Sequence, residues 1–420
     1  MSKTCRNNVR LSLAVIFSLF FIWAISNNLL PTMIRQLMKT CELNTFTASF
    51  TESAYWLAYF IFPIPIAMFM KRFSYKAGII FGLSLSAVGC FLFLPASHIH
   101  SYPVYLIVLF VIATGMCFLE TAANPYVSVL GSPETATRRL NLAQAFNGLG
   151  AFICAMFISK LVLSGQEYTR ESIPADYPGG WDGFIASETA SMKTAYLILA
   201  AILIVAIVAI VASKLPSVED EQNRQEQNGG RLIDFSVLKR PHLRKGVIAQ
   251  FFYNGGQTAV NGLFLVYCCT YAGIDEGRAT TLFGMYMFFF LLGRWTGTFL
   301  MGRFKPQNML MTYAIANIIL CAIVACFGGM VGIYAMMAIS FFMSIMYPTQ
   351  FSLAIDGLGS QTKSGSAFLV MAIVGNAMLP QFTAFIMHCN PAIYHIAYLV
   401  PMVCFAFCAN YGWRGYKAGR

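Results

Sequence analysis

Long stretches without a charged residue dominate the chain and predict helices that span a membrane. Residues 11–34 contain no Asp, Glu, Lys or Arg, and residues 306–355 and 364–413 are uncharged stretches of 50 residues each. A helix of about 20 apolar residues crosses roughly 30 Å of hydrocarbon, whereas a helix of 50 residues would be about 75 Å long. Each of the two longest stretches therefore predicts two spans, joined by turns at Gly328-Gly329 and Asn390-Pro391.

The same pattern predicts twelve spans in all. Three of them tolerate one charge each, at Glu52, Lys160 and Arg294. In chain order the predicted spans are 11–34, 46–70, 78–95, 103–128, 140–164, 194–213, 246–270, 279–301, 308–327, 331–354, 364–387 and 391–413. Because backbone polar groups in lipid must be satisfied within each segment, the predicted fold class is an all-α membrane protein with twelve transmembrane helices.

A charged segment divides the twelve spans into two groups of six. Residues 214–245 hold 12 of the 45 charged residues and predict a cytoplasmic linker. The linker separates an N-terminal six-helix bundle, residues 1–213, from a C-terminal one, residues 246–420. The halves also repeat weakly, since Phe20-Phe21 corresponds to Phe251-Phe252 at an offset of 231 residues. Parallel repeats of six helices explain such a match, and coincidence in an apolar composition is the alternative.

Composition and charge agree with a membrane location. Hydrophobic residues make up 58% of the chain and charged residues 11%, which excludes an ordinary soluble enzyme and a disordered chain. The net charge of +11 would first indicate an anionic partner such as nucleic acid. However, 21 of the 28 Lys and Arg residues lie on one side of the predicted spans and five on the other. This asymmetry predicts an inner-membrane protein with both termini in the cytoplasm, whose basic side faces anionic lipid.

One acidic residue lies deep in the fourth predicted span. Glu120 is about 24 Å from the outer end of that span by the rise per residue, and Asn124 shares its face one turn later. A carboxyl group within a membrane is costly and usually functional, and desolvation favours its neutral form. Glu120 is therefore predicted to bind both a proton and a solute, with Asn124 beside it. The alternative is a structural hydrogen bond between helices.

Amide side chains form two further polar faces. Gln144 and Asn147 lie three residues apart in the fifth span, and Asn254, Gln257 and Asn261 form one stripe in the seventh. Each amide offers two donors and one acceptor oxygen, which matches the hydroxyl groups of a sugar. Sugar contact and hydrogen bonding between helices are the two alternatives for these residues.

Two further spans carry polar or aromatic residues with two interpretations each. Trp23 and Asn27 lie one turn apart in the first span, with Asn28 beside them, and suit the C–H face and hydroxyls of a sugar ring. Packing is the alternative for Trp23. Arg294 lies seven residues before the inner end of the eighth span, so we expect its guanidinium to extend towards the interface rather than to act as a gate.

The sequence offers no catalytic or metal-binding pattern. It contains no P-loop, no zinc-binding HExxH motif and no nucleophile elbow, and its 12 cysteines lack metal-type spacing. We therefore expect no enzyme activity, no metal and no cofactor, and any accumulation of solute must use an ion gradient. An intramembrane enzyme would need a nucleophile or metal set, and a non-transporting sensor would need an output domain larger than the 32-residue linker.

Five motifs resemble the L-fucose–proton symporter family of the major facilitator superfamily. They are Leu119-Glu120-Thr121-Ala122-Ala123-Asn124-Pro125-Tyr126-Val127, Arg139-Leu140-Asn141-Leu142-Ala143-Gln144-Ala145-Phe146-Asn147, Ser74-Tyr75-Lys76-Ala77-Gly78, Gly293-Arg294-Trp295-Thr296-Gly297-Thr298 and Met346-Tyr347-Pro348-Thr349. The resemblance implies two six-helix bundles, alternating access and a central monosaccharide site. It also implies that Glu120 is the family's helix 4 carboxylate and that Gln144 and Asn147 are its helix 5 amides.

The chain departs from this family in its first span. The family has a carboxylate a few residues after an Asn-Asn-Leu, but here Asn27-Asn28-Leu29 is followed by a proline, Pro31, at that place. Glu52 lies near the outer end of the second span and is the candidate for a relocated second carboxylate. The alternative is a solvated acid at a helix start, where the helix dipole favours it.

Taken together, these features predict a secondary transporter that imports a monosaccharide, first of all L-fucose, by proton symport. A glucose, galactose or N-acetyl-hexosamine symporter, coupled to protons or sodium, is the alternative, since every hexose presents similar hydroxyls to these amides.

Overall fold

The computed structural model describes residues 3–43, 45–129, 132–158, 162, 168, 170–213, 234–389 and 391–417. Within these residues the chain is helical and contains no strand. The helices of the described residues form twelve elements in chain order, in agreement with the predicted all-α fold class.

Several of the spans consist of more than one helical segment. The N-terminal six are α1 (Lys3–Asn28 and Leu30–Thr40), α2 (Thr45–Ile61 and Pro63–Arg72), α3 (Tyr75–Ile99), α4 (Tyr102–Val129), α5 (Ala136–Ile153, continued by a π turn, Cys154–Ile158) and α6 (Gly180–Ala212). The first three of the C-terminal six are α7 (Pro241–Gly262, Phe264–Val266 and a π turn, Tyr267–Tyr271), α8 (Glu276–Leu300) and α9 (Pro306–Phe327). The last three are α10 (Gly329–Met343 and Met346–Ile355), α11 (Thr362–Met371, Ala372–Val374 and Gly375–Cys389) and α12 (Pro391–Tyr398, Leu399–Asn410 and Tyr411–Gly415).

Prolines explain two of the breaks within spans. The second segment of α2 begins at Pro63 and is bent by 41° from the first. In α1 the second segment has Pro31 in its first turn, where a residue without a backbone N–H is tolerated. The predicted turn between α9 and α10 is also present: Gly328 and Gly329 have φ of 60° and 50°, which glycine adopts without a steric penalty.

Several helix boundaries differ from the predicted ones; α1, for example, begins at Lys3 and ends at Thr40 instead of spanning 11–34. Helix α6 begins at Gly180 rather than at 194, because a helix continues past the membrane surface where its charged residues reach water. Helix α7 begins at Pro241, so the last residues of the predicted 214–245 linker are helical; residues 214–233 lie outside the described residues, as does Lys160. Helix α3 includes Pro95 and ends at Ile99, before the left-handed residue His100.

Most of the helices have the length and apolarity that a membrane requires. Within the described part of the chain, nine helices could cross a bilayer, or ten if the bent pair of α2 is one span. Helices α7 and α8 are more polar, because they carry several amides and Arg294. Large apolar side chains on the outer surface are exposed, among them Val205, Phe299 and Phe327, as expected for a protein that faces lipid.

Close helix packing brings polar residues to the centre. A Cβ on Gly115 of α4 would lie 2.1 Å from Ser86 Oγ of α3, so only glycine allows this approach. The two halves touch at the end where the α4–α5 and α10–α11 connections lie. There Thr137 Oγ1 is 2.9 Å from Ser352 Oγ, and Asn141 Nδ2 donates to Thr349 Oγ1 at 3.2 Å. These contacts hold the two halves together at that end of the molecule.

Candidate functional site

A cavity lies between the two halves, at the middle of the bundle. Both halves supply its walls, and its lining combines amides, aromatic rings, a carboxyl group and a guanidinium. The N-terminal half contributes Trp23, Asn27, Asn28, Trp56, Glu120, Gln144, Asn147 and Ala151. The C-terminal half contributes Asn254, Gln257, Asn261, Tyr286, Met287, Phe290, Arg294, Met343, Tyr347, Ile373 and Asn376.

The carboxyl group in the cavity belongs to Glu120 of α4. Its side chain is 3% exposed. The hydroxyl of Tyr347, on α10, donates a hydrogen bond to Glu120 Oε1 from the opposite half. Tyr347 is itself buried and lines the cavity. The protonatable group and its partner therefore lie on two bodies that must move relative to each other if access alternates.

Arg294 lies in the cavity, and the prediction that it extends towards the membrane interface is wrong. Its side chain is 5% exposed, and its guanidinium lies 4.5 Å from the ring centroid of Phe290. Arg294 Nε donates to the backbone oxygen of Ser344 at 3.0 Å. The backbone oxygen of Ser344 and the ring of Phe290 thus stabilise the positive charge of Arg294 inside the bundle, and the side chain does not extend to the membrane interface.

The two helix 5 amides contact Arg294 across the interface between the halves. Arg294 Nη1 donates to Gln144 Oε1 at 3.1 Å and to Asn147 Oδ1 at 3.1 Å, and it also donates to the backbone oxygen of Gln144. Gln144 Nε2 in turn donates to Asn124 Oδ1 at 3.2 Å. Asn124 is fully buried and is not among the lining residues, so it supports the cavity wall from behind.

Helices α1 and α2 form an aromatic wall. Trp23 Nε1 donates to Tyr59 Oη at 3.3 Å, and Tyr55 donates to Asn27 Oδ1. Trp56 lines the cavity between them, whereas Glu52, one turn earlier on α2, is half-buried and is not a lining residue. The predicted residues of the first span are thus at the cavity, and the candidate second carboxylate lies one turn away from it.

The predicted amide stripe of α7 also faces the cavity. Asn254, Gln257 and Asn261 all line it. Asn254 Nδ2 is used within the helix, where it donates to the backbone oxygen of Gln250 at 2.7 Å. Asn376 of α11 joins these amides at the cavity. One face of α7 therefore offers amide groups to a ligand, as its spacing predicts.

The sequence did not single out five polar or aromatic residues of the lining: Trp56, Tyr286, Phe290, Tyr347 and Asn376. Tyr347 belongs to a motif, Met346-Tyr347-Pro348-Thr349, and Trp56 follows Glu52 by one turn, so a weak signal existed for both. For Tyr286, one of 20 tyrosines, no signal separates it from packing residues.

Comparisons with known proteins agree with this geometry. The chain matches the Major Facilitator Superfamily over residues 11–380. It is 40% identical over 396 residues to the L-fucose-proton symporter of Escherichia coli (strain K12), covering 94% of this chain and 90% of that protein. It is 35% identical over 417 residues to a glucose/galactose transporter of Brucella abortus biovar 1 (strain 9-941), covering 98% and 96%. The crystal structure of the transporter FucP in the outward conformation matches with a TM-score of 0.86 and 38% identity, covering 96% of this chain and 98% of that one.

Proposed function

Because this chain belongs to the Major Facilitator Superfamily, we propose that it is a secondary transporter that imports a monosaccharide together with protons, with L-fucose as the first substrate to test. The resemblance found in the sequence motifs is confirmed by the relatives, and such relatives are multi-pass membrane proteins. We propose further that the protein lies in the inner membrane with both termini in the cytoplasm. It is proposed to catalyse no reaction, and its proposed partners are the solute, the coupling ion and lipid.

The observation that carries the proposal is the composition of the central cavity. Amides from α1, α5, α7 and α11 surround the carboxyl group of Glu120 within a membrane-embedded bundle. A neutral polyhydroxylated solute needs many donors and acceptors and an aromatic face for its C–H groups, which Trp23 and Trp56 provide. The residues proposed to build the sugar site, by contact or by positioning, are therefore Trp23, Asn27, Glu120, Asn124, Gln144, Asn147, Asn254, Gln257 and Asn261, with Asn124 acting from behind the wall.

Glu120 is the proposed coupling group. It can exchange a proton only when the cavity has access to water, and its partner Tyr347 belongs to the opposite half. A change in its protonation therefore alters the contact between the halves, which links proton binding to rocking of the bundles. Glu52 is the proposed second proton site, supported by its place one turn from the cavity residue Trp56.

A hexose other than L-fucose is the alternative substrate, coupled to protons or to sodium. The similarity to glucose/galactose transporters favours D-glucose and D-galactose over N-acetyl-hexosamines. The cavity amides do not separate these sugars, because all of them present ring hydroxyls to the same donors and acceptors.

Uptake by reconstituted vesicles tests the proposal. Labelled L-fucose, D-glucose, D-galactose and N-acetyl-D-glucosamine are offered singly, with a pH gradient or a sodium gradient imposed separately. We expect L-fucose to accumulate with an inward proton gradient and not with a sodium gradient. Accumulation of another sugar would support the alternative, and the absence of uptake for all four would contradict the transport of monosaccharides.

A further inference from the structure

The hydrogen bonds of Arg294 indicate which residues have donors left for a sugar and which residues hold the arginine in position. A guanidinium carries five N–H donors: one on Nε and two on each terminal nitrogen. In Arg294, Nε binds Ser344 and Nη1 binds Gln144 and Asn147. Nη2 carries the two remaining donors, and it makes no hydrogen bond to any residue that the structure describes.

The position of Arg294 is fixed from three sides. A Cβ on Gly148 of α5 would lie 3.2 Å from Arg294 Cδ, so the glycine leaves room for the side chain. A Cβ on Gly293 would lie 2.2 Å from the backbone oxygen of Phe341, so α8 packs tightly on α10 next to the arginine. Phe290 covers one face of the guanidinium. A group held in this way is preorganised to present Nη2 to a ligand.

The helix 5 amides, by contrast, already have partners at both ends. Gln144 accepts from Arg294 through Oε1 and donates through Nε2 to Asn124. Asn147 accepts from Arg294 through Oδ1 and donates through Nδ2 to the backbone oxygen of Phe20 at 3.3 Å. In this conformation the amides hold the arginine and each keeps one N–H that these bonds do not use, whereas the charged donors available to a sugar are the two N–H groups of Arg294 Nη2.

We infer that Arg294 is a substrate-binding residue whose Nη2 donates to a sugar hydroxyl, and that Gln144 and Asn147 are positioning residues that act through it. The inference rests on the proposed function and specifies how the site recognises its solute. A hydrogen bond from a charged donor is stronger than one from an amide, so the arginine contributes more to sugar affinity than either amide could by direct contact.

A double-mutant cycle on sugar binding by the purified full-length protein tests the inference. The variants are Arg294→Lys, which keeps the charge but loses the planar fork, Gln144→Ala, and the two combined. We expect each single change to raise the dissociation constant for L-fucose about tenfold or more. The double variant should then bind within about twofold of the weaker single variant, because the amide has no arginine left to position.

If the increases in dissociation constant of the two single variants multiply in the double variant, Gln144 contacts the sugar independently of Arg294. That result would overturn the inference but leave the proposed function standing. If the wild-type protein binds none of the sugars in the panel, the proposed function fails, and the inference fails with it. Arg303→Lys and Asn308→Ala, at exposed positions near the end of α8 and the start of α9, are matched controls and should bind as the wild type does.

A second pair of variants leaves Arg294 in place. Asn147→Asp keeps an acceptor oxygen for the guanidinium, whereas Asn147→Ala removes it. We expect the aspartate variant to bind the sugar within about twofold of the wild type and the alanine variant to bind at least fivefold more weakly. An equal loss of sugar affinity in both variants would show that binding depends on the amide nitrogen of Asn147 and not on its acceptor oxygen. That result would overturn the positioning role of Asn147.

Discussion

The Tyr347 hydroxyl of the C-terminal half donates a hydrogen bond to Glu120 of the N-terminal half, in the wall of the central cavity. Both side chains are buried, so the bond lies in a medium of low dielectric, where a polar group without a partner is costly. Any conformation that separates the halves must give both groups another partner. The protonation state of Glu120 and the arrangement of the bundles are therefore energetically linked.

Replacing Glu120 by glutamine should abolish accumulation without abolishing exchange. The amide keeps the size and the hydrogen-bonding capacity of a protonated carboxyl but cannot release a proton. In vesicles with an inward proton gradient, labelled sugar should equilibrate to the external concentration and go no higher, while exchange of internal for external sugar continues. Glu134→Gln, an exposed acid before α5, is the matched control. Accumulation at the wild-type level in Glu120→Gln would refute the assignment of Glu120 as the coupling group.

Replacing Tyr347 by phenylalanine should weaken the link between the halves. The variant keeps the ring and loses the donor to the carboxyl group, which leaves a buried acceptor without this partner at a cost of about 1–3 kcal/mol. We expect a lower temperature of thermal unfolding for the solubilised protein without sugar. Tyr334→Phe, at a tyrosine that is 59% exposed, should unfold like the wild type. If both variants unfolded at the same temperature, the Glu120 bond would contribute no measurable stability.

A disulfide between Thr137→Cys and Ser352→Cys should lock the two halves together at that end of the molecule. The two hydroxyl oxygens are 2.9 Å apart, which places the side chains within reach of an S–S bond. Oxidation should stop transport while leaving sugar binding intact, and a reductant should restore transport. Each single cysteine variant, treated in the same way, controls for the native cysteines. Full transport by a fully cross-linked protein would mean that this end need not open during the cycle.

The second carboxylate is tested by Glu52→Gln. If Glu52 replaces the helix 1 acid whose place Pro31 occupies, its neutralisation should reduce uptake and change the dependence of uptake on external pH. The variant is compared with the wild type in the same vesicles at several external pH values. Unchanged uptake and an unchanged pH profile would show that Glu52 is only an acid near a helix start, and that Glu120 alone carries the coupling.

The sequence by itself determined the membrane architecture and much of the cavity. Uncharged stretches of fixed length require spans because hydrocarbon cannot satisfy an exposed backbone. The period of the helix places Asn254, Gln257 and Asn261 on one face, and all three line the cavity. Glu120 could be singled out for a similar reason: a carboxyl group inside a membrane needs an explanation wherever it occurs.

Only the tertiary structure decided which polar residues meet across the two halves. Helical periodicity fixes the relative positions of side chains on one helix, but not the rotation of that helix against its neighbours. Arg294 could equally have extended to the interface, and Asn124 could have faced the cavity beside Glu120. Packing through Gly148 and Gly293 brings the arginine against the helix 5 amides instead. Tyr347 and Glu120 are 227 residues apart in sequence, so their contact depends on how two separate bundles pack, which no local pattern encodes.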